Sequence, residues 1–358
     1  MKSIRQLKNI KGKRVLVRVD FNVPIKNGKI LDTSRIDKAM PTLKYLIKKG
    51  ARLILISHLG ENGKQSLKPV ADYLKKFIKK DITLLENIRR FSGEMKNDSK
   101  FAKQLASLGD LYVNEAFSVS HRAHASIVGP PKYLPSYAGL QLEKEIKNLK
   151  AAFKRPQHPF LFILGGAKFS TKIPLIKKFL GRASMDGARH DSAESADAVF
   201  VGGALMNNFF KEAGVDIGKS VYEKKNFGLK KLSKNPKIIL PPDVIVYQNS
   251  FVDVGPYSVK LLEELIKKSK FILMNGPLGN YEKGFGKATE KILKAIIKSR
   301  AKVIIGGGDT VSLLSNLEPR TYNLKPNLFV STGGGAMLEF LEKGTLPGIE
   351  ALRVRSKE

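Results

Sequence analysis

Short apolar runs alternate with amphipathic stretches of about 10 to 15 residues along almost the whole sequence. This alternation is typical of parallel β-sheets with helices on both faces, because two parallel strands are joined by a crossover helix. The sequence therefore predicts an α/β protein. The predicted strands are residues 14–22, 52–58, 82–87 and 111–117 in the first half, and 160–164, 198–201, 237–240, 244–247, 271–275, 303–305 and 328–332 in the second.

The chain length predicts two domains. With 358 residues, the chain exceeds the size at which one hydrophobic core usually keeps growing, and its 42% hydrophobic residues can fill two cores. The helical pattern LEKEIKNLKAAFKRP at 142–156, which ends at Pro156, is the natural connector. We therefore expect two Rossmann-like domains, residues 1–148 and 149–340, joined by a hinge helix.

The charge is strongly positive, with 64 lysines and arginines against 32 aspartates and glutamates and a net charge of +32. Such a field attracts anions, from nucleic acid to small phosphorylated metabolites. The lysines, however, fall in pairs on amphipathic helical patterns and are not clustered with stacking aromatic residues. A basic nucleic-acid-binding protein is therefore the less favoured alternative, and nucleic acid is not expected as a partner.

Composition also limits the chemistry and the location. The chain has no cysteine, which excludes disulfides, thiolate catalysis and sulfur metal sites, so any metal must bind oxygen or imidazole. No apolar run is long enough to span a membrane, and the opening MKSIRQLKNIKGKR lacks the apolar segment of a signal peptide. We expect a cytoplasmic protein with no membrane partner.

Glycine follows nearly every predicted strand of the second half. Ligands of open α/β sheets bind beyond the carboxyl ends of the strands, where glycine lets backbone N–H groups approach a phosphate at a helix N-terminus. Five such glycine loops in one domain indicate a phosphate site, although none is a Walker A or G-x-G-x-x-G sequence. The loops are GGAK (165–168), GGA (202–204), NGPLG (275–279), GGGDT (306–310) and TGGGA (332–336).

Four side chains near these loops suit a nucleotide with Mg²⁺. Lys168 and Lys172 can place positive charge on the phosphates. Asp309 is a hard oxygen ligand for Mg²⁺, and Glu282 can accept hydrogen bonds from a ribose. Alternatively, Lys172 is a surface lysine of a helix and Asp309 an N-cap.

The strand ends of the first half carry charged and imidazole side chains instead of glycine. Arginine suits an anion with both carboxylate and phosphate groups, because its planar fork binds either one bidentately. A lone histidine is more often structural, so a catalytic role for either histidine of the SHRAH loop stays open. The residues are Asp20, Asn22, Arg35, His58, Arg89, Arg90, Asn114, His121, Arg122 and His124.

These features suggest phosphoryl transfer, which depends mainly on positioning and charge neutralisation and needs no protein nucleophile. Several segments, in order along the chain, resemble the phosphoglycerate kinase family, and the resemblance covers essentially the whole chain outside residues 184–195. The LPSYAG segment and the short chain look most similar to archaeal members. The matching segments include RVLVRVDFNVPIKNGKILDTSRI, LLENIR, YVNEAFSVSHRAHASIVG, ILGGAKFSTKI, NGPLG, IIGGGDT and STGGGAMLEFLEKGTLPGIEAL.

The resemblance implies a hinge-bending phosphotransferase with a carboxyl group as acceptor. It would transfer a phosphoryl group between 1,3-bisphosphoglycerate and ADP, giving 3-phosphoglycerate and ATP with Mg²⁺, in glycolysis and gluconeogenesis. The first domain would bind the phosphoglycerate and the second the nucleotide. Residues 341–358 would form a C-terminal segment that returns to the first domain, and we expect a monomer.

The resemblance also implies roles for individual residues. The phosphoglycerate ligands would be Asp20, Asn22, Arg35, His58, Arg89 and Arg122. The nucleotide ligands would be Lys168, Lys172, Asn275, Glu282, Gly306, Gly307, Gly308, Asp309 and Thr310, with Asp309 on the metal. The transition state would be held by Arg35, Lys168, Gly333, Gly334 and Gly335.

The chain departs from the family pattern at several positions. Glu61 stands where the family usually has arginine, and Thr171 stands where it usually has aspartate. ENIRRF replaces ENVRF, so either Arg89 or Arg90 could be the substrate ligand, and Arg89 is favoured. The lysine-free stretch 184–195 is predicted to be an exposed loop between a helix and a strand, away from the glycine loops and without effect on catalysis.

Overall fold

The computed structural model describes residues 1–79, 82–167, 169–181, 195–225, 227–317 and 325–353. Lys168 and, except for Ser195, the stretch 184–195 lie outside the described residues, so the expectations for them stay predictions. The α/β prediction is confirmed, with parallel sheets flanked by helices. The chain divides into two compact units: Met1–Lys147 together with the segment that begins at Lys343, and Asn148–Glu342.

The first unit is built on a five-stranded parallel sheet in the order β5-β4-β1-β6-β7. A two-stranded ribbon of β2 and β3 follows β1 in the chain. The strands are β1 (Arg14–Arg18), β2 (Ile25–Lys26), β3 (Lys29–Ile30), β4 (Arg52–Ile56), β5 (Ile82–Leu84), β6 (Leu111–Asn114) and β7 (Ser136–Ala138). The helices are α1 (Ser34–Lys48), α2 (Lys68–Lys75), α3 (Ser92–Met95), α4 (Ser99–Ser107), α5 (Ala125–Val128) and α6 (Leu140–Lys150).

The strands of this unit end earlier than the sequence predicted. The segments after β1 and β4 leave the sheet, and hydrogen bonds between backbone N–H groups and polar side chains join these two segments. Phe21 N donates to Ser57 Oγ at 2.9 Å, and Gly60 N donates to Asn22 Oδ1 at 2.9 Å. The residues beyond the strand ends therefore form the loops of a site.

The second unit is built on a six-stranded parallel sheet in the order β10-β9-β8-β13-β14-β15. Its central strands β8 and β13 are buried at every residue, which accounts for their apolar sequences, with Asn275 at the end of β13 as the one polar residue. The strands are β8 (Phe160–Leu164), β9 (Ala198–Val201), β10 (Ile238–Ile239), β11 (Val244–Tyr247), β12 (Ser250–Val254), β13 (Phe271–Asn275), β14 (Lys302–Gly306) and β15 (Leu328–Val330). The helices are α7 (Phe169–Phe179), α8 (Gly203–Glu212), α9 (Leu229–Leu232), α10 (Pro256–Lys268), α11 (Lys287–Lys298), α12 (Gly308–Leu317) and α13 (Gly334–Lys343).

The strand predicted at 244–247 exists, but it does not belong to the parallel sheet. It pairs antiparallel with β12 in a separate hairpin. The two turn residues, Gln248 and Asn249, both have positive φ, of 47° and 57°. Two-residue turns of this kind match the twist of paired strands, so the chain reverses here instead of crossing over the sheet.

The end of the chain runs back to the first unit. After α13, the last described helix, α14 (Pro347–Ala351), carries Gly348, whose N–H donates to Ser120 O at 2.8 Å. A side chain at Gly348 would come within 2.7 Å of Ile127. Among the described helices, none has the length and apolar character needed to cross a bilayer.

A buried carboxyl group stands at the start of α6, the helix in which the first unit ends. Glu115 is 4% exposed and accepts hydrogen bonds from Gln141 N at 3.1 Å and Leu142 N at 3.4 Å. Burial disfavours its charged form and raises its pKa to about 8, although the backbone bonds oppose this shift. Glu115 therefore holds a proton at neutral pH in the folded chain.

This proton makes stability depend on pH. The unfolded chain releases it near the ordinary glutamate value of 4.5, whereas the folded chain releases it near 8. The free energy of unfolding should therefore fall as pH rises between about 4.5 and about 8, and this contribution should be constant above that. Chemical denaturation of Glu115→Gln across this range should show a shallower decline than the wild type. An equal decline in both proteins, with the exposed Glu143→Gln as control, would contradict this assignment.

Candidate functional site

A cleft of about 1130 Å³ lies within the second unit, at the carboxyl ends of its strands. Four of the five predicted glycine loops contribute lining residues. Gly166 follows β8, Gly203 follows β9, Gly279 follows β13 and Asp309 follows β14. This volume is slightly above the usual range of about 300–1,000 Å³ for small-molecule sites.

The backbones of these loops touch one another. Gly166 N donates to Pro277 O at 2.7 Å, and Gly203 N donates to Leu278 O at 2.9 Å. Gly203 has a φ of +60°, and a Cβ there would overlap the backbone N of Gly166. The loops after β8, β9 and β13 can therefore approach one another this closely only because glycine has no side chain.

The loops after β14 and β15 are also neighbours. A Cβ on Gly334, at the start of α13, would lie 3.5 Å from Gly307 Cα and 3.6 Å from Gly308 N. The predicted stretches 306–310 and 333–335 are thus brought together beside the cleft. Both lead directly into a helix, so the positive ends of α12 and α13 adjoin each other.

Two buried polar side chains flank Gly307. An added Cβ there would lie 3.5 Å from Thr310 Oγ1 and 3.7 Å from Asn275 Cγ. Thr310 Oγ1 and Asn275 Nδ2 are buried and have no hydrogen-bond partner among the described residues. Because a buried donor without an acceptor costs free energy, both favour a ligand that offers oxygen atoms.

Lys172 is not a surface lysine, contrary to the alternative that the sequence left open. It lies in α7 with 4% exposure, and its ammonium group donates to the backbone oxygen of Gly165. A Cβ on Gly166 would lie 2.7 Å from its Nζ. The lysine thus brings a buried positive charge to the base of the first glycine loop.

Asp309 and Glu282 are both exposed and both line the cleft. Asp309 is in the first turn of α12. Among the described residues, no three His, Asp or Glu side chains are grouped as metal ligands. A divalent ion at Asp309 would therefore take most of its ligands from substrate oxygens and water, as Mg²⁺ commonly does in phosphate sites.

The opposite walls of the cleft are apolar, and sequence reasoning missed them. One wall is the β11–β12 hairpin, and its Tyr247 ring lies 5.4 Å from the Phe285 ring. Val252, Leu278 and Met206 add aliphatic surface. A planar aromatic ligand fits this lining. The turn Gln248–Asn249 was the available sequence signal for the hairpin.

The first unit gathers its predicted residues around Asp20. Asp20 is 8% exposed and pairs with the guanidinium of Arg35, and the hydroxyl of Ser118 donates to the same carboxyl oxygen. Burial alone would raise the pKa of Asp20, but the Arg35 charge and the Ser118 hydrogen bond contribute to a net lowering. The ionised Asp20 thus orients Arg35, whose side chain is 36% exposed.

His58 is buried next to Arg18, a residue that sequence reasoning did not select. Arg18 is 1% exposed, and its NH2 group lies 3.4 Å from His58 Nδ1. Burial, followed by Arg18, lowers the pKa of His58 to about 3. In the neutral ring Nδ1 faces the guanidinium as an acceptor, so the proton is on Nε2, which can donate. The sequence signal for Arg18 was a charge inside an apolar strand.

Arg89 and Arg90 differ in their surroundings. Arg89 is half-buried and donates to Gly60 O at 2.6 Å, and burial, Arg122 and Arg18 lower its pKa. Arg90 is exposed, and its charge acts on Glu86. Arg89, rather than Arg90, therefore shares a field with the other arginines of the site, and Arg122 contributes to the same field.

A buried acidic residue, Glu94, is linked to Arg18 through Ser126. Glu94 is fully buried and accepts hydrogen bonds from Ser126 N at 2.8 Å and Ser126 Oγ at 2.7 Å. Ser126 Oγ in turn accepts from Arg18 Nε at 2.8 Å. His124 lies 3.8 Å from Glu94, yet burial and the nearby arginines lower its pKa to about 4, so its ring is neutral.

A family model described as phosphoglycerate kinase matches residues 4–83 and 76–344 of the chain. Two curated relatives of that name are 40% identical (Dictyoglomus turgidum, with 96% of each chain covered) and 39% identical (Finegoldia magna, with 99% of each covered). The match therefore extends over nearly the full length of both relatives.

Two solved structures give the same result. The phosphoglycerate kinase of Coxiella burnetii has a TM-score of 0.81 and 36% identity, with 99% of each chain covered. That of Pyrococcus horikoshii has a TM-score of 0.81 and 27% identity, with 99% of this chain and 98% of that chain covered. Identity is lower to the Pyrococcus chain, so these values do not support the expected closeness to archaeal members.

Proposed function

The chain belongs to the phosphoglycerate kinase family and is a phosphotransferase with a carboxyl group as acceptor (EC 2.7.2.3), and we propose that its two units divide the two substrates between them. The reaction transfers a phosphoryl group reversibly from 1,3-bisphosphoglycerate to ADP, giving 3-phosphoglycerate and ATP. In this proposal the first unit binds the phosphoglycerate and the second binds the nucleotide.

The observation that carries the first assignment is the field around His58. Two histidines, His58 and His124, remain neutral because burial and the surrounding guanidinium groups hold their pKa values near 3 and 4. Arg89 and Arg122 act on both of them. A group of cations that repel one another is suited to a multiply charged anion, and arginine binds carboxylate and phosphate equally well.

Within this unit we assign Asp20, Asn22, Arg35, His58, Arg89 and Arg122 to the phosphoglycerate. The neutral His58 donates from Nε2, and the arginines supply charge. Asn22 accepts from Gly60 N at 2.9 Å and thereby holds the loop whose carbonyl binds Arg89. Glu61 is exposed and its charge acts on Arg89, so it weakens the positive field at this edge.

In the second unit we assign the phosphates of the nucleotide to the glycine loops. We assign its ribose and base to the apolar side of the cleft, which includes the β11–β12 hairpin and Phe285. Backbone N–H groups, Asn275 and Thr310 offer donors near Gly307, and Lys172 offers its ammonium group at the first glycine loop. Glu282 can accept from the ribose hydroxyls. Apolar surface and two aromatic rings suit a purine. Lys168, outside the described residues, is assigned to the transferring phosphate on the family resemblance alone.

Mg²⁺ fits Asp309. A single exposed carboxylate in the first turn of α12, at the rim of the cleft, is the donor set expected where phosphates supply the remaining ligands. The ion would neutralise phosphate charge. Asp309 would hold it while the backbone of Gly306–Gly308 orients the phosphate oxygens.

Catalysis in this proposal is stabilisation of the charge on the moving phosphoryl group. Arg35 approaches it from the phosphoglycerate side, and the N-terminus of α13 at Gly333, Gly334 and Gly335 offers its backbone from the nucleotide side. Because the substrates are bound to different units, transfer requires the units to close, with α6 as the hinge helix.

A coupled assay with 3-phosphoglycerate, ATP and Mg²⁺ tests the proposal directly. Turnover that requires all three components is expected. The alternative of a nucleic-acid-binding protein, which rested on the +32 charge, has no support from the relatives. We further propose a monomer, since one chain supplies both sites, and a cytoplasmic location, where these phosphorylated metabolites are retained by their charge.

Replacement of Arg122 by alanine should separate the two substrates. We expect the KM for 3-phosphoglycerate to rise about tenfold or more, because a charge-assisted hydrogen bond contributes about 1.5–3 kcal/mol. The KM for ATP should change far less. Steady-state kinetics with each substrate varied in turn gives both values, and the exposed Arg5→Ala is the control. A rise confined to the KM for ATP would mean that the units are assigned backwards.

A further inference from the structure

Asp253 is a buried acid next to the nucleotide cleft that takes no part in the assignments above. It lies in β12 with 5% exposure, directly after Val252, which lines the cleft. Asp253 itself is not among the lining residues. Any effect it has on the nucleotide must therefore pass through its neighbours.

The carboxyl group contacts both ends of one loop. At the first end, Gly279 packs against it so closely that a Cβ would overlap the Asp253 carboxyl carbon. At the second end, Ala288 N in the first turn of α11 donates to Oδ2 at 3.3 Å. Oδ1 accepts from Val254 N at 2.9 Å, which fixes the side chain on its own strand.

The loop between these two contacts forms part of the cleft. Residues Asn280, Glu282 and Phe285 all line it. Asn280 N donates to Val252 O at 2.8 Å, and Phe285 N donates to Asn280 O at 3.0 Å. The β11–β12 hairpin and the loop 279–288 are thus in contact at Val252 and Asp253.

Burial at this position is energetically unfavourable for an ionised carboxylate. No cationic side chain forms an ion pair with Asp253 among the described residues, and burial raises its pKa to about 6. A buried acid without a cation destabilises a fold unless its hydrogen bonds compensate. Its two acceptor oxygens, each used by a backbone N–H of a different element, are the property that an apolar side chain would lack.

We propose that Asp253 is a positioning residue for the nucleotide, tying the β11–β12 hairpin to the loop that carries Glu282 and Phe285. Without the Asp253 contacts, the hairpin and the loop could move apart, and the affinity for the ribose and base would fall. The chemistry at the phosphates, which depends on the glycine loops, would be little affected. This inference rests on the proposed function, because it takes the cleft to be the nucleotide site.

The test compares Asp253→Ala and Asp253→Asn with Asp243→Ala. Asp243 is a matched control, because its carboxylate also accepts backbone N–H bonds at a helix N-terminus, from Ser258 at 2.7 Å and Tyr257 at 3.0 Å, and it does not line the cleft. Direct ADP binding by calorimetry and steady-state kinetics are measured for each, together with the melting temperature.

For Asp253→Ala we expect the Kd and KM for ADP to rise about tenfold, with kcat and the KM for 3-phosphoglycerate within about twofold. Asp253→Asn keeps one acceptor and should lose less affinity. Asp243→Ala should lower the melting temperature without changing the Kd for ADP. Unchanged ADP affinity in both Asp253 variants, or an equal loss in Asp243→Ala, would overturn the inference.

The two proposals fail in different ways. If the wild type binds ADP but does not turn over 3-phosphoglycerate and ATP, the proposed function is wrong, and the Kd values still decide the role of Asp253. If the wild type does not bind ADP at all, both are wrong. Should Asp253→Ala fail to fold, Asp253→Asn alone provides the comparison with the wild type.

Discussion

Replacing Arg35 by methionine is expected to lower kcat about 100- to 1000-fold, the effect typical of losing one preorganised donor to transition-state charge. Arg35 is held by the ionised Asp20, and its side chain keeps 36% exposure toward solvent. The charge that it stabilises develops as the phosphoryl group moves, so the loss should affect kcat more than either KM. Steady-state and single-turnover kinetics provide the measurement.

Two further variants make this result specific. Arg35→Lys keeps the charge but not the planar fork, so it should recover only part of the rate. Arg14→Met removes another arginine of the first unit, paired with Asp110 at 2.8 Å on the surface, and should leave kcat unchanged. A kcat for Arg35→Met within about fivefold of the wild type would remove Arg35 from the transition state.

Adding one methyl group at Gly203 is expected to raise the KM for ADP more than about tenfold. The Cβ would overlap Gly166 N, so the loops after β8 and β9 would have to move apart. Both loops line the cleft, so in the proposed nucleotide site a change in their spacing should weaken the binding of phosphates. The KM for 3-phosphoglycerate should stay the same.

Gly214→Ala provides the matched control for this prediction. Gly203 begins α8 and Gly214 lies just beyond its end, and both have positive φ, of +60° and +85°. Both variants should therefore lose stability through backbone strain, on the order of 1 kcal/mol. Only Gly214 has open space for a Cβ. A similar rise in the KM for ADP in both variants would show that general strain, and not the loop spacing, is responsible.

Four strands of the second unit, β8, β9, β11 and β13, were predicted with their observed bounds. In β8 and β13 the signal is an apolar run, buried on both faces, that leads into a glycine loop. β7 was missed, since its three residues form a strand only by pairing with β6. β12 was missed because SFVDV contains a polar residue whose burial depends on contacts distant in sequence.

The site was predictable where it depends on the backbone and less so where it depends on buried charge. Glycine after a strand predicted which loops would meet, and the structure brings the loops after β8, β9 and β13 together. The support of Arg18 by Ser126 and Glu94 joins residues 108 and 32 positions apart, and no local pattern indicates such contacts. The surroundings that distinguish Arg89 from Arg90 likewise depend on the fold.

In the proposed nucleotide site, the glycine loops after the strands restrict how this protein could adapt to other nucleotides. Main-chain amides are the same for every amino acid, so substitutions cannot alter the part of the cleft that the backbone forms without displacing the chain. Variation in nucleotide preference would have to come from the side chains opposite, Met206, Tyr247, Val252, Leu278 and Phe285. Directed evolution toward a different base should therefore accumulate changes on those walls and leave the strand-end glycines untouched.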